Sequence, residues 1–471
     1  MYTNNHSTHN NYNGNKPEVT FLNPYNFIPL THKRIASVEK GSLTGVIECT
    51  LVPRTDFFIS NTSAECTANN PHENTVREFF LYNQLVSGYN ISEHDGPEKP
   101  VIPGSKLRGM IRSMYEAFTN SCLSCMDIEK KSSSNSSKSK GKEIPLDHLA
   151  GEHKCCESKD NICEACALFG LLGETSSRLR FSDAVFSSDC APLYQEVVTL
   201  KELSSPKITS MEMYTHTIQS SKNMKIRTYY YYKENNRKIY FKDDELKLNG
   251  RKFYYHHPEC KNKDYYKYVC QRKNKQSNEQ NNEQNNDYDR LVTVRPLKGD
   301  KKNKFSFRVF FEHITETELE KLLCVISLWG NDSEHYYKLG MGKPIGLGSV
   351  KIRVNDVKLR SICPDYNKIY DFSSTKKYEE YYSGCNDETI KKLFETDTAV
   401  FDQLKNMTDF RYAEKLKIHG KINDRISSVH YPTAFDGSEG FKWFTNNRKS
   451  RVKYEQVLPI DGVLEKNSKR R

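Results

Sequence analysis

Six segments with a regular hydrophobic pattern constrain the fold of this 471-residue chain more than any other feature. Four have the short apolar patterns of β-strands, and two have apolar residues at helical spacing. In chain order they are strand 43–52, helix 105–118, strand 178–186, strand 305–311, helix 315–330 and strand 350–354. The sequence therefore predicts an α+β fold whose elements follow the order β-α-β-β-α-β.

The two predicted helices have the clearest signals. One apolar face of the first helix is formed by Leu107, Ile111, Met114, Tyr115 and Phe118. The second helix begins at a T-x-x-E capping box, Thr315 with Glu318, and ends at Gly330. In the closing strand the apolar residues alternate with Lys351 and Arg353. The whole order is the ferredoxin-like pattern that RNA-recognition modules also use, so we expect a ferredoxin-like or modified RNA-recognition-motif core with large insertions.

Polar tracts separate these segments and define the expected domain organisation. Three tracts have compositions that cannot bury enough apolar surface to offset chain entropy, namely residues 1–16, 130–142 and 271–290. We expect a disordered head (1–16), a core (17–354) and a C-terminal extension (355–471). Within the core we expect a Cys/His region at about 120–168 and a thumb-like insertion at 190–300 that contains the disordered tract 271–290.

Composition excludes several classes of protein. No run of eighteen apolar residues exists, which argues against a membrane span, and residues 1–15 lack the basic and apolar regions of a secretory signal. The 14 cysteines of so long a chain suit reduced thiols or metal ligands better than a disulfide scaffold. We therefore expect a cytoplasmic protein. The net charge of +11 (71 basic minus 60 acidic residues) does not by itself identify a partner.

The first glycine-containing segment, IPGSKLRGMIR at residues 102–112, runs from a Pro-Gly turn into the first helix. A helix N-terminus offers unpaired N–H groups and a positive dipole, which favour phosphate binding. On a helical wheel, Ser105, Arg108 and Arg112 fall within about 60° of one another beside the apolar face. This edge has the chemistry to contact a nucleic-acid backbone. The alternative is an ordinary solvated helix face.

The second segment, LGMGKPIGLGSVKI at residues 339–352, contains four glycines and a lysine, namely Gly340, Gly342, Lys343, Gly346 and Gly348. Glycine lets the main chain approach a ligand and adopt positive φ. The segment lacks the spacing of a P-loop and precedes a strand, so nucleotide hydrolysis is not indicated. A plain tight turn is the alternative.

Together these segments resemble the RAMP superfamily, the RNA-binding subunits of CRISPR effector complexes, particularly of type III. The resemblance rests on IPGSxLRGxxR, CEACALFG (163–170), RLRFSDA (178–184) and GxGKPIGLGSVKI, with further matches at NPYNFIPL (23–30), GRKFYYHH (250–257), YP (431–432) and FKWF (441–444). It implies that the first helix and the glycine-rich loop bind the guide-RNA backbone. The RNA-contacting residues it implies are Ser105, Lys106, Arg108, Arg112, Lys343, Gly346 and Gly348.

The cysteines around the LFG motif suit a structural zinc site, for which two ligand sets have suitable chemistry and spacing. One set is His153, Cys156, Cys163 and Cys166, and the other is Cys122, Cys125, Cys163 and Cys166. Cys155 is a further alternate. Resemblance to RAMP proteins that carry a Cys/His zinc site directly ahead of LFG favours the first set, and buried reduced cysteine is the alternative to both.

Two further motifs have less definite roles. GRKFYYHH alternates cationic and aromatic residues, which suits base stacking with phosphate contact. A hairpin packed on the body of the protein is an equally good interpretation. NPYNFIPL is interpreted as an extended arm, for which docking on a neighbouring subunit is one hypothesis. Residues 376–471 receive no physical role from the sequence.

No catalytic residue is assigned. Target-cleaving members of the superfamily place an aspartate in the loop before the IPGS motif, and neither Asp56 nor Asp95 matches that position. His72 and Glu73 lie nearer the middle of this loop but are the wrong residue types, and His256 is a fallback base. We therefore expect a guide-RNA-binding backbone subunit in antiviral defence, with guide RNA, target RNA and other RAMP-type subunits as partners. The alternatives are a target-RNA endoribonuclease and a zinc-stabilised protein that binds no RNA.

Overall fold

The structure is a computed structural model that describes most of the core and part of the C-terminal extension. The described residues are 24–36, 40–60, 76–83, 98–124, 150–201, 203, 214–217, 225–226, 231–234, 237–240, 246–267, 291–362 and 370–412. Several sequence predictions lie outside these ranges, namely those on residues 1–16, 130–142, 271–290, 431–432 and 441–444 and on His72, Glu73, Asp95 and Cys125.

The described residues form short strands and helices around one long antiparallel sheet. The strands are β1 (Tyr25–Ile28), β2 (Leu43–Pro53), β3 (Leu81–Asn83), β4 (Glu98–Ile102), β5 (Leu179–Phe181), β6 (Ala184–Phe186), β7 (Val198–Thr199), β8 (Thr215–Thr217), β9 (Lys225–Ile226), β10 (Tyr231–Glu234), β11 (Arg237–Tyr240), β12 (Leu246–Leu248), β13 (Arg251–Tyr254), β14 (Thr293–Val294), β15 (Phe305–Ile314), β16 (Tyr337–Lys338), β17 (Ser349–Ile362) and β18 (Tyr370–Ser374). The helices are α1 (Gly104–Phe118), α2 (Glu164–Phe169), α3 (Glu316–Ser327), α4 (Glu380–Ser383), α5 (Asp387–Phe394) and α6 (Thr398–Thr408).

The main sheet has the strand order of a ferredoxin-like domain. Its path is β16-β17-β2-β15-β6-β4-β3, with β5 also paired to β15 and β18 to β17. The four predicted core strands correspond to β2, to β5 with β6, to β15 and to β17. Across the sheet they lie in the order β17, β2, β15 and then β5 with β6, so the fourth core strand is next to the first, followed by the third and the second. The long pairings of β2 with β15 and with β17 are antiparallel. The predicted α+β, ferredoxin-like fold with insertions is therefore confirmed.

Two core strands differ from their predicted bounds. The predicted strand 178–186 is divided into β5 and β6, because Ser182 and Asp183 turn towards the start of α1. The Asp183 carboxylate accepts a hydrogen bond from the Gly104 backbone N–H at 2.6 Å. A Cβ at Gly104 would lie 2.5 Å from the Phe181 carbonyl oxygen, so only glycine fits here. The closing strand β17 continues beyond residue 354 to Ile362.

Helices α1 and α3 bury their predicted faces. Leu107 and Ile111 of α1 and Leu319 and Leu322 of α3 are fully buried in the core cluster. The predicted capping box is present, since the Thr315 side chain accepts from the Glu318 N–H and the Glu318 side chain accepts from the Thr315 N–H. Each such buried aliphatic side chain contributes roughly 1.5–3 kcal/mol relative to exposure.

The end of α3 is held by a buried lysine. The helix stops at Ser327, before the predicted Gly330, and Leu328, Trp329 and Gly330 all have positive φ. The Lys351 Nζ donates to the carbonyl oxygens of Ser327 (3.0 Å) and Gly330 (2.8 Å), among five oxygen acceptors in all. Burial lowers the pKa of Lys351 to about 7. Lys351 thus stabilises the left-handed backbone of residues 328–330. Its position in an alternating strand pattern does not predict this role.

The described part of the C-terminal extension packs against α1 and α3. The rings of Phe118 and Phe394 lie 4.9 Å apart, and the Trp329 indole N–H donates to Asp387 at 2.9 Å. The Sγ atoms of Cys324 on α3 and Cys385 beside α4 are 3.1 Å apart. Helices α4–α6 therefore cover the helical face of the core.

The segment predicted as an extended arm is instead a paired strand within this chain. β1, from NPYNFIPL, pairs antiparallel with β13, from GRKFYYHH, in the register Tyr25↔Tyr254 to Ile28↔Arg251. The pairing buries Tyr25 and Ile28. One interpretation of GRKFYYHH was a hairpin packed on the body, and β13 does pack there, but its partner strand is the distant β1.

None of the helices in the described part of the chain has the length and hydrophobicity needed to span a bilayer.

Candidate nucleic-acid interface and cysteine site

A groove of about 650 Å³ lies between the N-terminal half of α1 and the glycine-rich loop. α1 contributes Ser105 and Lys106 to it, and the loop contributes Gly340 and Lys343. Five basic side chains line the groove, namely Arg77, Lys106, Lys252, Lys338 and Lys343. Of the lining residues in the described part of the chain, none is an aspartate or glutamate. The groove therefore has the charge and shape to accept an anion.

Ser105 and Lys106 in the first turn of α1 line this groove, and the N–H of the preceding Gly104 donates to the Asp183 carboxylate at 2.6 Å. The N-cap residue is Pro103, and the first turn contains no acidic residue. Ser105 and Lys106 are exposed, whereas the following Leu107 is buried against the sheet. The Asp183 carboxylate offsets part of the positive charge of this helix N-terminus, so Lys106 supplies the main positive charge that α1 brings to the groove.

The glycine-rich loop is shaped by close contacts with the segment that follows β2. The Met341 N–H donates to the Phe58 carbonyl oxygen, and the Gly348 N–H to the Asp56 carbonyl oxygen, both at 2.9 Å. A Cβ at Gly340 would lie 2.3 Å from the Phe58 oxygen, and one at Gly348 would lie 2.0 Å from the Leu339 oxygen. Both residues also have positive φ. These glycines permit a tight loop that presents Lys343 to the groove.

Gly346 and Gly348, two of the RNA-contacting positions that the resemblance implies, are buried within the loop. A Cβ at Gly346 would meet Cys260 at 2.9 Å and His257 at 3.0 Å. The Gly346 carbonyl oxygen accepts hydrogen bonds from Thr55 and Lys338. The space beside these glycines is therefore filled by this chain itself. Gly340 lines the groove and is one of the four glycines noted in the segment, but it is not among the RNA-contacting residues that the resemblance implies.

Mutual repulsion and burial lower the pKa values of two lysines in the groove. The pKa of Lys343 is lowered by burial and by the charge of Lys106. Burial, with a further contribution from Lys343, lowers the pKa of Lys338 to about 7. Lys338 is held in place by donating to the Gly346 and Leu347 carbonyl oxygens at 3.0 and 3.2 Å. An anion in the groove would relieve this repulsion.

Lys252 enters the groove from β13 through a cage of tyrosine rings. Its Nζ lies 3.8 Å from the centroid of Tyr25 and 5.0 Å from those of Tyr214 and Tyr254. It also donates to the Tyr214 hydroxyl at 3.3 Å. Burial lowers the pKa of Lys252 to about 8. The cage orients this lysine by cation–π contacts, a role that the aromatic-basic pattern of the motif allowed but did not specify.

Arg108 and Arg112 lie away from this groove and beside the LFG segment. They line a second, more open cavity of about 600 Å³ with residues 169–177. Arg108 donates to the Phe169 carbonyl oxygen, and Arg112 donates to Glu116 at 2.8 Å and to the Gly170 carbonyl oxygen at 3.3 Å. The helical wheel places both arginines near Ser105, but their long side chains extend to the α2 segment. The structure thus brings together Ser105, Lys106 and Lys343, and it separates the two arginines from them.

Four buried cysteines converge at the C-terminal end of α1. The Sγ atoms of Cys122, Cys156, Cys163 and Cys166 all lie within 4.8 Å of one another. Those of Cys122 and Cys166 are 3.4 Å apart. Tetrahedral zinc with Zn–S bonds of about 2.3 Å requires sulfur separations of about 3.8 Å, so this group has a suitable size and ligand chemistry for a metal ion.

This group combines members of the two predicted ligand sets. It keeps Cys156, Cys163 and Cys166 and takes Cys122 in place of His153. The His153 Nε2 lies 3.1 Å from the Asn120 Oδ1, and burial together with Arg251 lowers its pKa to about 4. Cys155 is exposed, and its thiol contacts the Leu123 carbonyl oxygen. The C-x-x-C pair at 122 and 125 was the sequence signal that included Cys122.

The four thiols are chemically coupled. Hydrogen bonds from the other three thiols, that of Cys122 first, lower the pKa of Cys163. Hydrogen bonding with Cys155 and Cys163, together with burial, raises the pKa of Cys122 to about 11. Backbone N–H groups also point at two of the sulfurs, from Cys122 to Cys163 at 3.5 Å and from Cys163 to Cys156 at 3.3 Å. Such donors stabilise thiolates.

The candidate catalytic residues that the structure describes are fully engaged in hydrogen bonds. Buried Asp56 accepts from the Tyr266 hydroxyl (2.6 Å), Gln195 (3.0 Å) and the Gly299 N–H (2.8 Å), and burial raises its pKa. Both ring nitrogens of His256 are bonded, Nδ1 to the Ser349 hydroxyl at 2.9 Å and Nε2 to the Tyr336 carbonyl oxygen at 3.0 Å. Asp56 ties the end of β2 to the insertion, which is a structural role.

The chain belongs to the RAMP superfamily, whose family model matches residues 86–351, more than half of the sequence. The match spans both α1 and the glycine-rich loop. No curated protein matches the chain. Among solved structures it is similar to a chain of a "Type IV-B CRISPR Complex", with 13% sequence identity, a TM-score of 0.29, and coverage of 68% of this chain and 94% of that chain.

Proposed function

We propose that this protein binds the sugar-phosphate backbone of single-stranded guide RNA as a subunit of a cytoplasmic CRISPR ribonucleoprotein effector. The observation that carries the proposal is the convergence of Lys106 and Lys343 on one groove that no described carboxylate lines. Membership of the RAMP superfamily supports it. Other RAMP-type subunits and target RNA are the proposed partners, and antiviral defence is the proposed role.

The chemistry of the groove favours RNA recognition that is independent of sequence. Ammonium groups and a helix N-terminus bind phosphate oxygens, which every nucleotide carries. The hydroxyls of Ser60, Ser105 and Ser113 line the same groove and are suited to donate to phosphate or 2′-hydroxyl oxygens. A cleft between a helix and a loop admits one strand more readily than a duplex.

We also propose that the four-cysteine group binds a structural zinc ion. Cys122, Cys156, Cys163 and Cys166 would hold it through their sulfurs, and the ion would supply cross-linking of the segment before α2 to the end of α1. Four protein ligands leave no open position for a substrate, so the proposed role is structural. The size of the sulfur cluster supports this assignment.

RNA binding is tested by fluorescence anisotropy with a labelled single-stranded RNA of random sequence. Lys106→Glu and Lys343→Glu should each weaken binding by about tenfold or more at moderate salt, and should lower the slope of log affinity against log salt by about 0.7 per lost phosphate contact. Lys301→Glu is the matched control, because it makes the same charge change at an exposed turn outside the groove. Equal loss in all three variants would indicate bulk charge attraction and contradict a binding groove.

Assignment to a ribonucleoprotein effector needs a separate experiment. The chain is purified together with the products of neighbouring genes, and any bound RNA is sequenced. The expected result is RNA of uniform length containing repeat-derived sequence, lost from the Lys106→Glu, Lys343→Glu double variant. RNA of heterogeneous length and origin would leave RNA binding intact and overturn the effector assignment.

A further inference from the structure

A single arginine connects α1 to the cysteine site. The Arg112 Nη2 lies 3.2 Å from the Sγ of Cys166, in hydrogen-bonding geometry. The same guanidinium donates through Nε to Glu116 and through Nη1 to the Gly170 carbonyl oxygen. Its side chain is 14% exposed, so solvent competes little for these contacts. Arg112 is therefore held in one orientation with one of its nitrogens directed at a sulfur.

Two further donors to the cluster belong to the main chain. Cys163 receives the N–H of Cys122, and Cys156 receives the N–H of Cys163. In the described part of the structure, the thiol of Cys155 is also hydrogen-bonded to Cys122, but Arg112 is the charged side chain that donates to one of these four sulfurs. Hydrogen bonds from charged donors are about twice as strong as neutral ones.

The negative charge of a metal-bound cysteine group would be offset by a positively charged donor. Four thiolates around a divalent cation carry a net charge of −2, which is costly to bury without compensation. Arg251 is also buried close by, where it donates to the Cys122 carbonyl oxygen and lies 3.9 Å from the Glu116 carboxylate, and neither contact is with sulfur. Arg112 alone combines positive charge with a direct N–H···S contact among the described residues.

We infer that Arg112 is a positioning residue of the metal site, whose guanidinium fixes the Cys166 sulfur and stabilises its thiolate when a metal ion is bound. This inference rests on the proposed metal binding by the four cysteines. It also assigns Arg112 a role different from direct RNA contact. The groups that ligate a metal are commonly oriented by such outer partners, whose loss typically weakens metal binding by about 10–100-fold.

The test is a competition for zinc between the full-length protein and a chromophoric chelator. Arg112→Met should weaken zinc affinity by about 10–100-fold relative to the wild type. Arg108→Met is the matched control. Arg108 lies on the same helix and has the same distance to the Phe169 ring, 5.8 Å against 5.9 Å for Arg112, but it has no hydrogen bond to sulfur. Its affinity for zinc should stay within a few-fold of the wild type.

Two further measurements separate positioning from general packing. Cobalt-substituted Arg112→Met should show shifted thiolate-to-metal absorption bands, and Arg112→Lys should restore part of the zinc affinity. If Arg112→Met does not fold, Arg112→Gln, which keeps a neutral N–H donor, should give an intermediate loss. Wild-type zinc affinity in Arg112→Met or Arg112→Gln would overturn the inference about Arg112 and leave the proposed metal site intact. Absence of zinc binding by the wild-type protein would overturn both the inference and the proposed metal site.

Discussion

Lys106 and Lys343 lie close enough for the charge of one to lower the pKa of the other, although they belong to a helix and a loop far apart in the sequence. Both side chains line the same groove. Such an arrangement is unfavourable for the protein alone, because like charges repel most strongly where burial limits solvent screening. It becomes favourable when a phosphate group lies between them.

RNA affinity should fall as the pH rises from 6.5 to 8.5 at constant ionic strength. Lys338 and Lys252 have pKa values of about 7 and about 8 in the free protein, so both lose charge in this range, whereas bound phosphate favours their protonated forms. The measurement is anisotropy at a series of pH values. Lys338→Met should bind more weakly at pH 6.5 and show a shallower pH dependence. A pH-independent affinity of the wild type would contradict the placement of phosphates beside these lysines.

The free energy of unfolding should decrease as the pH falls below about 6.5, partly because of His256. Burial holds the pKa of His256 well below its usual value, so the unfolded chain takes up a proton in a range where the native protein does not. Stability from this residue is thus fully present above pH 6.5 and is lost towards acid. Urea titrations at pH 7.5 and 5.5 measure the effect. His256→Gln should reduce the difference between the two pH values, and an unchanged difference would refute the role of His256.

Asp56→Ala should destabilise the protein by about 2–4 kcal/mol, because it leaves the Tyr266 hydroxyl, the Gln195 amide and the Gly299 N–H without their acceptor. Urea denaturation provides the measurement. Asp332→Ala is the control, since this carboxylate is 89% exposed and should change stability by less than about 0.5 kcal/mol. Equal effects of the two substitutions would mean that Asp56 does not tie the insertion to β2.

Two glycine-to-alanine substitutions should have opposite effects. Gly348→Ala should cost more than about 2 kcal/mol, because its φ is +81° and the new Cβ would lie 2.0 Å from the Leu339 oxygen. Gly109→Ala should stabilise the protein by up to about 1 kcal/mol, because Gly109 lies within α1 and has open space at its Cβ position. Thermal unfolding distinguishes them. A neutral Gly348→Ala would show that the loop is looser than this structure.

The zinc content of the protein should depend on the four cysteines that the structure brings together, and not on either ligand set predicted from the sequence. Cys122→Ser should abolish stoichiometric zinc, whereas Cys155→Ser and His153→Ala should retain it. Metal analysis after gel filtration measures the content, and the chelator-treated wild type should melt at a lower temperature. Zinc lost from His153→Ala but kept by Cys122→Ser would restore the Cys₃His assignment.

Local signals in the sequence were sufficient for the framework of the fold. The capping box at Thr315 and the alternation in β2 depend only on residues that are close in sequence, so local patterns predict both. The sheet order then followed from the ferredoxin-like pattern. Convergence of α1 with the glycine-rich loop was implied by the resemblance and not by the strand order, because β4, which leads into α1, is separated from β17 by β2, β15 and β6. These features needed no knowledge of long-range side-chain contacts.

Long-range contacts between side chains account for what the sequence did not predict. The choice of Cys122 over His153 depends on how the end of α1 meets residues 156–166. The same contact brings the Arg112 guanidinium within hydrogen-bonding distance of the Cys166 sulfur. Lys351 is buried because the end of α3 folds over it, which strand alternation cannot indicate. In each case the deciding partner lies on a different element.

The pairing of β1 with β13 has a consequence for the order of assembly during synthesis. The hydrogen-bonding partners of residues 25–28, at 251–254, emerge more than two hundred residues after them. At about 5–20 residues per second, that delay is roughly ten to fifty seconds. During this interval Tyr25 and Ile28 lack the partner strand that buries them in the folded protein, and Lys252 acquires its contact with Tyr25 only when the two strands join.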